Sequence, residues 1–358
     1  MALYGIEQEI PLLRPDGSLA DSSNTTFAEL QSIIDQLPEY AADRGILHIG
    51  DAGIKRKRWY VEGYERFAED GSSVAMLPKA IEIRTPPRPT IGDALADLRR
   101  HYLLLRDGLA AAGFKTTWIS HHPFQSTFDL DPPLNAYERK LWGDYADMAT
   151  DTIAQRTFGP DLNFSLDGMD DAALIDAGKK LTYYSPFIVP FSFSAPFEAG
   201  RLWEGLSLRT YVRTGRRPAV RVFLHDQANM LKSVPSLTQE SELPANAGRI
   251  EFKAFDTCHS LALYDSLFHL LIGILEDTTL PGRALTPDAA LHQRSARHGF
   301  SDELIRAGAR QVLDAVPRAG GLRYMLEDNR LPVHDLIDAY HATQSIPLTL
   351  EKFENLDV

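Results

Sequence analysis

The sequence holds a single cysteine, Cys258, among 358 residues, so an intrachain disulfide is excluded and no cysteine-rich zinc pattern can form. Positive charge is also scarce. Lys and Arg total 37 against 49 Asp and Glu, a formal net charge of -12. Generic nucleic-acid binding needs clustered cations on one face, and this balance argues against it. The four tryptophans, Trp59, Trp118, Trp142 and Trp203, do not interleave with basic residues. No stretch approaches the roughly 18 uninterrupted apolar residues of a membrane span. The most apolar segment, around Ser185–Phe197, is broken by Pro186, Pro190 and Pro196. The opening MALYGIEQEI has no basic start leading into an apolar run and reads as no signal peptide, and the single cysteine fits a reducing cytoplasm. A phosphate-cradling P-loop is missing, as are internal repeats and low-complexity runs.

What is present is a globular composition, 44% hydrophobic, in an order of elements that mixes hairpins with helices. Leu3–Leu13 alternates as a strand, and Pro15-Asp16-Gly17 marks a turn. Thr25–Leu37 has helical spacing, with Asn24 or Thr25 as cap. Ile46–Ile49 reads as a short strand. Trp59–Ala68 and Val74–Arg84 flank the turn Glu69-Asp70-Gly71-Ser72 as a hairpin. Ile91, Ala94, Leu98, Tyr102, Leu105 and Leu109 recur at three and four, predicting a helix over Thr90–Gly113. Further on the pattern predicts a strand over Phe114–Ile119, a helix over Ala136–Ile153 and a strand over Leu162–Leu166. A helix over Asp170–Phe191 should break near Pro186 and Pro190. Arg249–Ala254 is a strand, Leu237–Gly248 the loop before it, and Ser260–Leu275 an apolar helix. The last eighty or so residues read as helical. The class is α+β, one catalytic domain over residues 1–358 with a helical part from about 280 to 358.

Several strands carry acids between apolar neighbours. Glu7 and Glu9 stand two apart and therefore on one strand face. Two carboxylates that close stay ionised only with a cation or several donors between them, and hard oxygens of this kind suit Mg²⁺. A solvated sheet edge explains the same spacing. Glu82 lies between Ile81 and Ile83, and Glu251 between Ile250 and Phe252. Arg249 and Lys253 share the Glu251 face, as an ion-pair ladder or as a site for metal and anion. Asp161, Asn163 and Ser165 share another face, where Asn163 offers an oxygen to a metal or an amide to a phosphate. Arg209 can clamp a carboxylate or phosphate through two parallel hydrogen bonds, or simply lie on the surface. The run Lys55-Arg56-Lys57-Arg58 can meet nucleotide phosphates or water. His121-His122 can bind metal or pack in a turn. Cys258, beside Asp256, is a poor nucleophile because the acid raises the thiol pKa.

Singly these motifs are common, but their order is specific. Gly5-Ile6-Glu7-Gln8-Glu9, Ile81-Glu82-Ile83-Arg84-Thr85-Pro86-Pro87, His122-Pro123-Phe124, Asp161-Leu162-Asn163, Ala195-Pro196-Phe197-Glu198-Ala199-Gly200, Ser207-Leu208-Arg209 and Arg249-Ile250-Glu251-Phe252-Lys253 follow one another over residues 3–275. This series resembles the second glutamate–cysteine ligase family, whose catalytic fold is of the glutamine synthetase and guanido kinase type. The resemblance implies a curved antiparallel sheet flanked by helices, with ATP and Mg²⁺ as cofactors. It implies metal roles for Glu7, Glu9, Glu82 and Glu251, nucleotide contacts for Asn163, Lys57 and Arg209, and catalytic roles for Arg209, Arg249 and Lys253. The implied reaction is amide formation through an acyl phosphate, with a γ-glutamyl donor and an amino acid or amine as acceptor. A homodimer is compatible with the apolar helices.

Two positions depart from the family pattern. Pro78 stands where the family often has an acid, with Glu62 or Glu65 on the preceding strand as replacements, and Lys253 stands where Arg is usual. They keep two other readings open: a metal-dependent amide hydrolase and a non-catalytic nucleotide- or amino-acid-binding protein on the same scaffold.

Overall fold

The structure, a computed structural model, describes residues 2–43, 57–144, 150–241 and 246–357. The Ile46–Ile49 strand and two members of the basic run, Lys55 and Arg56, fall outside them. The first strand, β1 (Leu3–Ile10), runs on into the short β2 (Leu12–Leu13). Helix α1 (Phe27–Asp35) is capped by Thr26, whose side chain accepts from Glu29 N, one residue later than expected. The hairpin β3 (Trp59–Phe67) and β4 (Ser73–Arg84) forms as its alternation predicts. Helix α2 (Ile91–Ala111) starts at the Thr90 cap and ends before Gly113, whose φ of 83° is the left-handed conformation that glycine adopts freely.

Three expectations change here. The strand expected over 114–119 shrinks to β5 (Lys115–Thr116), paired only with β2. Of the helix expected over 136–153, α3 (Ala136–Asp144) and α4 (Asp151–Ala154) are helical, and 145–149 lie outside the described residues. After β6 (Pro160–Ser165), helix α5 (Asp171–Ile188) passes straight through Pro186, and the expected break comes only at Pro190, where a 3-10 turn over Val189–Ser192 follows. A proline removes the hydrogen bond to the carbonyl four residues back, here Thr182. The Ser185 hydroxyl donates to that oxygen at 2.7 Å, so the helix is not forced to stop. The ribbon β7 (Phe197–Glu198) and β8 (Arg201–Leu202) precedes α6 (Leu208–Arg213) and β9 (Val220–Leu224). The third change is β10 (Thr238–Glu240), a strand inside the expected loop, followed by β11 (Ile250–Phe252). Ser260 caps α7 (Leu261–Glu276), and α8 (Ala289–His298), α9 (Glu303–Ala315), α10 (Arg323–Glu327), α11 (Pro332–Thr343) and α12 (Ile346–Glu351) complete the chain.

Seven strands form one curled sheet in the order β10-β9-β11-β6-β1-β4-β3. Pairing is antiparallel except at the β10–β9 edge, which is parallel. The two-residue period sends Ile6, Ile10, Ile81, Ile83, Leu162, Phe164, Val222, Ile250 and Phe252 to one face, all at most 1% exposed. Helices α2, α5 and α7 cover that face. The C-terminal helices extend the same apolar cluster through Phe300, Ile305, Val312 and Leu322. The other face carries the charged residues.

One irregularity shapes the charged face. Glu62 pairs with Ala80 but Gly63 pairs with Pro78, so Lys79 is an extra residue on β4. Such a bulge re-aims a side chain. The strands approach so closely there that a Cβ on Gly63 would fall 2.1 Å from the Leu77 carbonyl oxygen.

Candidate functional site

Cross-strand partners in an antiparallel sheet share a face, so register decides which charges meet. Glu9 stands opposite Glu82, which stands opposite Tyr60. Glu7 stands opposite Asp161 on one side and Arg84 on the other. Asn163 lies between Gly5 and Glu251, and Glu251 faces Arg221. All four acids expected from the sequence are brought onto one floor, in two groups. Glu7 joins Asp161 and Glu251, and Glu9 joins Glu62 and Glu82, with the nearest carboxylate oxygens of each group within 4.8 Å of one another. Glu62, not Glu65, completes the second group.

The first group is threaded with cations. Arg249 Nη1 donates to Glu7 Oε1 at 3.2 Å, and its Nη2 is 3.8 Å from Glu251 Oε1. Its guanidinium stacks on Phe223, 3.9 Å from the ring centre. Lys253 Nζ donates to Asp161 Oδ2 and lies 3.0 Å from Glu251 Oε2. Burial pushes the Glu251 carboxyl up, but Lys253, Arg249 and Arg221 outweigh it and hold the pKa well below the ordinary value. Burial opposes the charge on Lys253 too, yet Asp161 and Glu251 raise its pKa. Glu7 and Asp161 are raised, burial being the main cause in both.

The second group has a different balance. Lys79 Nζ donates to Glu9 Oε1 at 2.7 Å and to the carbonyls of Ala154 and Thr157 at 2.9 Å each. Glu9 Oε2 accepts from Gly159 N at 2.9 Å. Glu82 is raised well above the carboxylate range, first by burial and then by Glu62, Glu7 and Glu9. Its Oε1 is buried with no hydrogen-bond partner among the described residues, and so is Asn163 Oδ1. Buried oxygens are ordinarily paired. Two such orphans among clustered carboxylates are the donor chemistry of a hard divalent cation such as Mg²⁺.

The remaining expected residues sit elsewhere. Arg209 opens α6 behind the floor, 3% exposed, donating to the carbonyls of Ala254 (3.2 Å) and Lys253 (3.0 Å) with Asp256 Oδ1 at 3.6 Å. A Cβ on Gly159 would fall 2.2 Å from its Nη2, so Arg209 packs directly beneath the residue that holds Glu9. Lys57 gives its ammonium to the carbonyls of Ile34, Asp35 and Leu37, where it closes the end of α1. His122 bonds Asp21, and His121 the His122 carbonyl, both inside a packed turn. Cys258 is buried and its thiol is pushed up to about 12 by burial, which removes it as a nucleophile. Sequence reasoning missed Asp161 as a member of the acid group, and gave no role to Lys79, Tyr60 or Arg221. The signal for Asp161 was its parity with Asn163; the others depend on register.

No family model matches the sequence, and no curated protein does. Solved structures share the fold. A bifunctional glutathione synthetase from Pasteurella multocida matches with a TM-score of 0.57 at 12% identity, covering 99% of this chain and 52% of that one. This chain therefore spans about half the length of the Pasteurella protein. Glutamate–cysteine ligase from Francisella tularensis, in complex with AMP, matches with a TM-score of 0.55 at 12% identity, covering 99% and 87%. PafA, solved as the ligase of the prokaryotic ubiquitin-like protein Pup, matches with a TM-score of 0.52 at 11% identity, covering 99% and 73%. Together they establish a curled-sheet α+β architecture that ligases use.

Proposed function

We propose that this protein is an ATP-dependent ligase that joins a carboxylate to an amine, with the γ-carboxyl of glutamate as donor and a free amino acid or simple amine as acceptor. One observation carries the reading: six carboxylates in two groups lie on one sheet face, beside Arg249 and Lys253. The likeness in fold to three ligases supports it. Fold alone does not fix chemistry, so the weight rests on the residue set.

The chemistry asked of the site is a phosphoryl transfer followed by an acyl transfer. The donor carboxylate oxygen attacks the γ-phosphorus of ATP, ADP leaves, and the acyl phosphate results. The amine then attacks the acyl carbon, phosphate leaves with the bonding pair, and the amine gives up a proton. Phosphoryl transfer is mostly positioning and charge neutralisation. Arg249 and Lys253 are the cations free to turn from carboxylates to phosphoryl oxygens, because each already bridges two acids at the floor. Asn163 offers an amide beside them. Glu7, Asp161, Glu251, Glu9, Glu62 and Glu82 would hold Mg²⁺, which supplies positive charge against the nucleotide phosphates. Arg209 acts from behind, fixing Gly159 under Glu9 and the strand that bears Lys253.

ADP release from Mg²⁺-ATP with glutamate, measured against a panel of amino acids and amines, tests the proposal. The expected result is release that requires both partners, together with an amide product. Amide hydrolysis without ATP, or nucleotide binding with no turnover for any pair, would overturn it.

A further inference from the structure

A cleft lies on the helical side of the sheet, whereas the clustered acids lie on the other face. Residues 277–288 join α7 to α8 and cross α5 beside Tyr183. The segment is tied down at three points. Gly282 N donates to Tyr184 Oη at 3.1 Å, Ala284 N donates to the Lys179 carbonyl at 3.0 Å, and Arg283 grips Asp176 through Nε at 2.7 Å and Nη2 at 2.8 Å. Between α5, this segment and the first turn of α8 the walls enclose about 370 Å³, the size of a small-molecule site. Thr182 lines it, 2% exposed, and the Thr182 hydroxyl has no hydrogen-bond partner among the described residues. Buried hydroxyls are ordinarily paired. A chain of contacts joins this wall to the start of α8: Ser185 Oγ donates to the Thr182 carbonyl at 2.7 Å and meets His292 Nε2 at 3.0 Å, and His292 Nδ1 meets the Asp288 carbonyl at 2.8 Å. The two charged residues of the lining differ. Arg283 is committed to Asp176 and to the carbonyls of Leu280 and Gly282. Asp288 uses Oδ1 to cap α8, accepting from Leu291 N at 2.9 Å, and its carboxylate pairs with no cation among the described residues. Tyr183, 43% exposed, Pro287 and Leu291 supply apolar surface.

We infer that this cleft binds a small primary amine with a compact apolar body. The ammonium pairs with the uncommitted oxygen of Asp288 and donates to the Thr182 hydroxyl. The body rests on Pro287 and Leu291 beside the Tyr183 ring, whose face also attracts a cation. A carboxylate or phosphate would meet Asp288 as a like charge, and an uncharged analogue would leave it without a counter-charge, so charge selects the amine. The site is separate from the acceptor position of the proposed ligase reaction, which lies on the charged face, and the inference does not rest on that reading.

The probe is 4-fluorobenzylamine, its binding to the full chain followed by fluorine NMR relaxation, with 4-fluorobenzyl alcohol and 4-fluorobenzoate as controls. A dissociation constant of about 1 mM is expected for an amine of this size, and binding of the alcohol and the benzoate weaker by about tenfold or more. Asp288→Asn removes the charge but keeps a good cap for α8, and it should weaken the amine by about tenfold. Thr182→Val, which keeps the shape and removes the hydroxyl, and Tyr183→Ala should each weaken it several-fold, with circular dichroism confirming the fold. Glu251→Gln, on the charged face, should leave binding unchanged. No saturable binding, equal binding of the benzoate, unchanged affinity in Asp288→Asn, or loss of binding in Glu251→Gln would each overturn the inference. Absence of ADP release would defeat the ligase reading and leave this result untouched.

Discussion

Replacing Glu82 by Gln should make the metal-free protein more stable while removing its cation site. Two ionised carboxylates whose nearest oxygens lie within 4.8 Å repel by at least about 332/(20 × 4.8), or roughly 3.5 kcal/mol, at an effective dielectric constant near 20. Glu82 faces two such neighbours, Glu9, bonded to Lys79, and Glu62, 4.0 Å from the same ammonium. It also loses hydration, being 6% exposed. A hydrogen bond from Tyr60 offsets part of this, and beyond it the escape is to keep a proton. Holding a proton at pH 7 on a group whose unfolded pKa is about 4.3 costs about 1.36 × (7 − 4.3), or roughly 3.7 kcal/mol, and this caps the penalty. The amide carries none of it and can donate to a neighbouring carboxylate. A gain of about 2–3 kcal/mol follows.

For a chain of 358 residues the unfolding entropy makes that a rise of about 3–4 °C in Tm. The assay is thermal unfolding in EDTA and in millimolar MgCl₂ at pH 7. Glu82→Gln should melt above the wild type in EDTA, and Mg²⁺ should raise the wild type but not the variant, since a ligand stabilises only the state that binds it. A variant that melts below the wild type in EDTA would refute the reasoning, because Glu82 would then be making favourable contacts in the free protein.

Glu251→Gln should abolish ADP release in the ligase assay without unfolding the chain, and near-normal turnover would remove Glu251 from the site. His292 is fully buried between the Asp288 carbonyl (2.8 Å) and Ser185 Oγ (3.0 Å), and burial lowers its pKa from 6.5 to about 4. Between those values the unfolded chain binds a proton that the folded chain refuses, so stability falls as pH falls, by about 1.4 kcal/mol per unit. Chemical denaturation of His292→Gln from pH 6.5 to 4.5 should show a slope shallower than the wild type by that amount, and parallel slopes would show that the ring titrates normally. Gly63→Ala drives a methyl to 2.1 Å from the Leu77 oxygen, so a loss of about 1–3 kcal/mol in urea unfolding is expected. An unchanged midpoint would mean the bulge is easily shifted.

The acids were legible in the sequence because the local rule that places them is simple. A strand alternates, so Glu7 and Glu9, Glu82 between two isoleucines, and Glu251 between Ile250 and Phe252 announce a polar face with no knowledge of their neighbours. Helix α2 was legible for the same kind of reason, its threonine cap and three-four spacing being local. Partnership was not legible, because it depends on register between strands far apart in sequence. Asp161 meets Glu7 across 154 positions only once β6 is slid into place.

Lys79 shows the limit most sharply. Alternation read backwards from Ile83 and Ile81 puts residue 79 on the apolar face, and a lysine there would be an error in the fold. The bulge opposite Gly63 shifts the parity of β4 from that residue back and delivers the Lys79 ammonium to Glu9. No propensity scale marks a bulge whose cause is a backbone contact between two strands. The basic run misled for a related reason: Lys57 is charged, but its destination is set by the open end of α1, three carbonyls that only tertiary packing brings within reach. A charged side chain therefore announces that it will need partners, and the register of the sheet decides whether those partners are a substrate, a metal ion or the end of a helix.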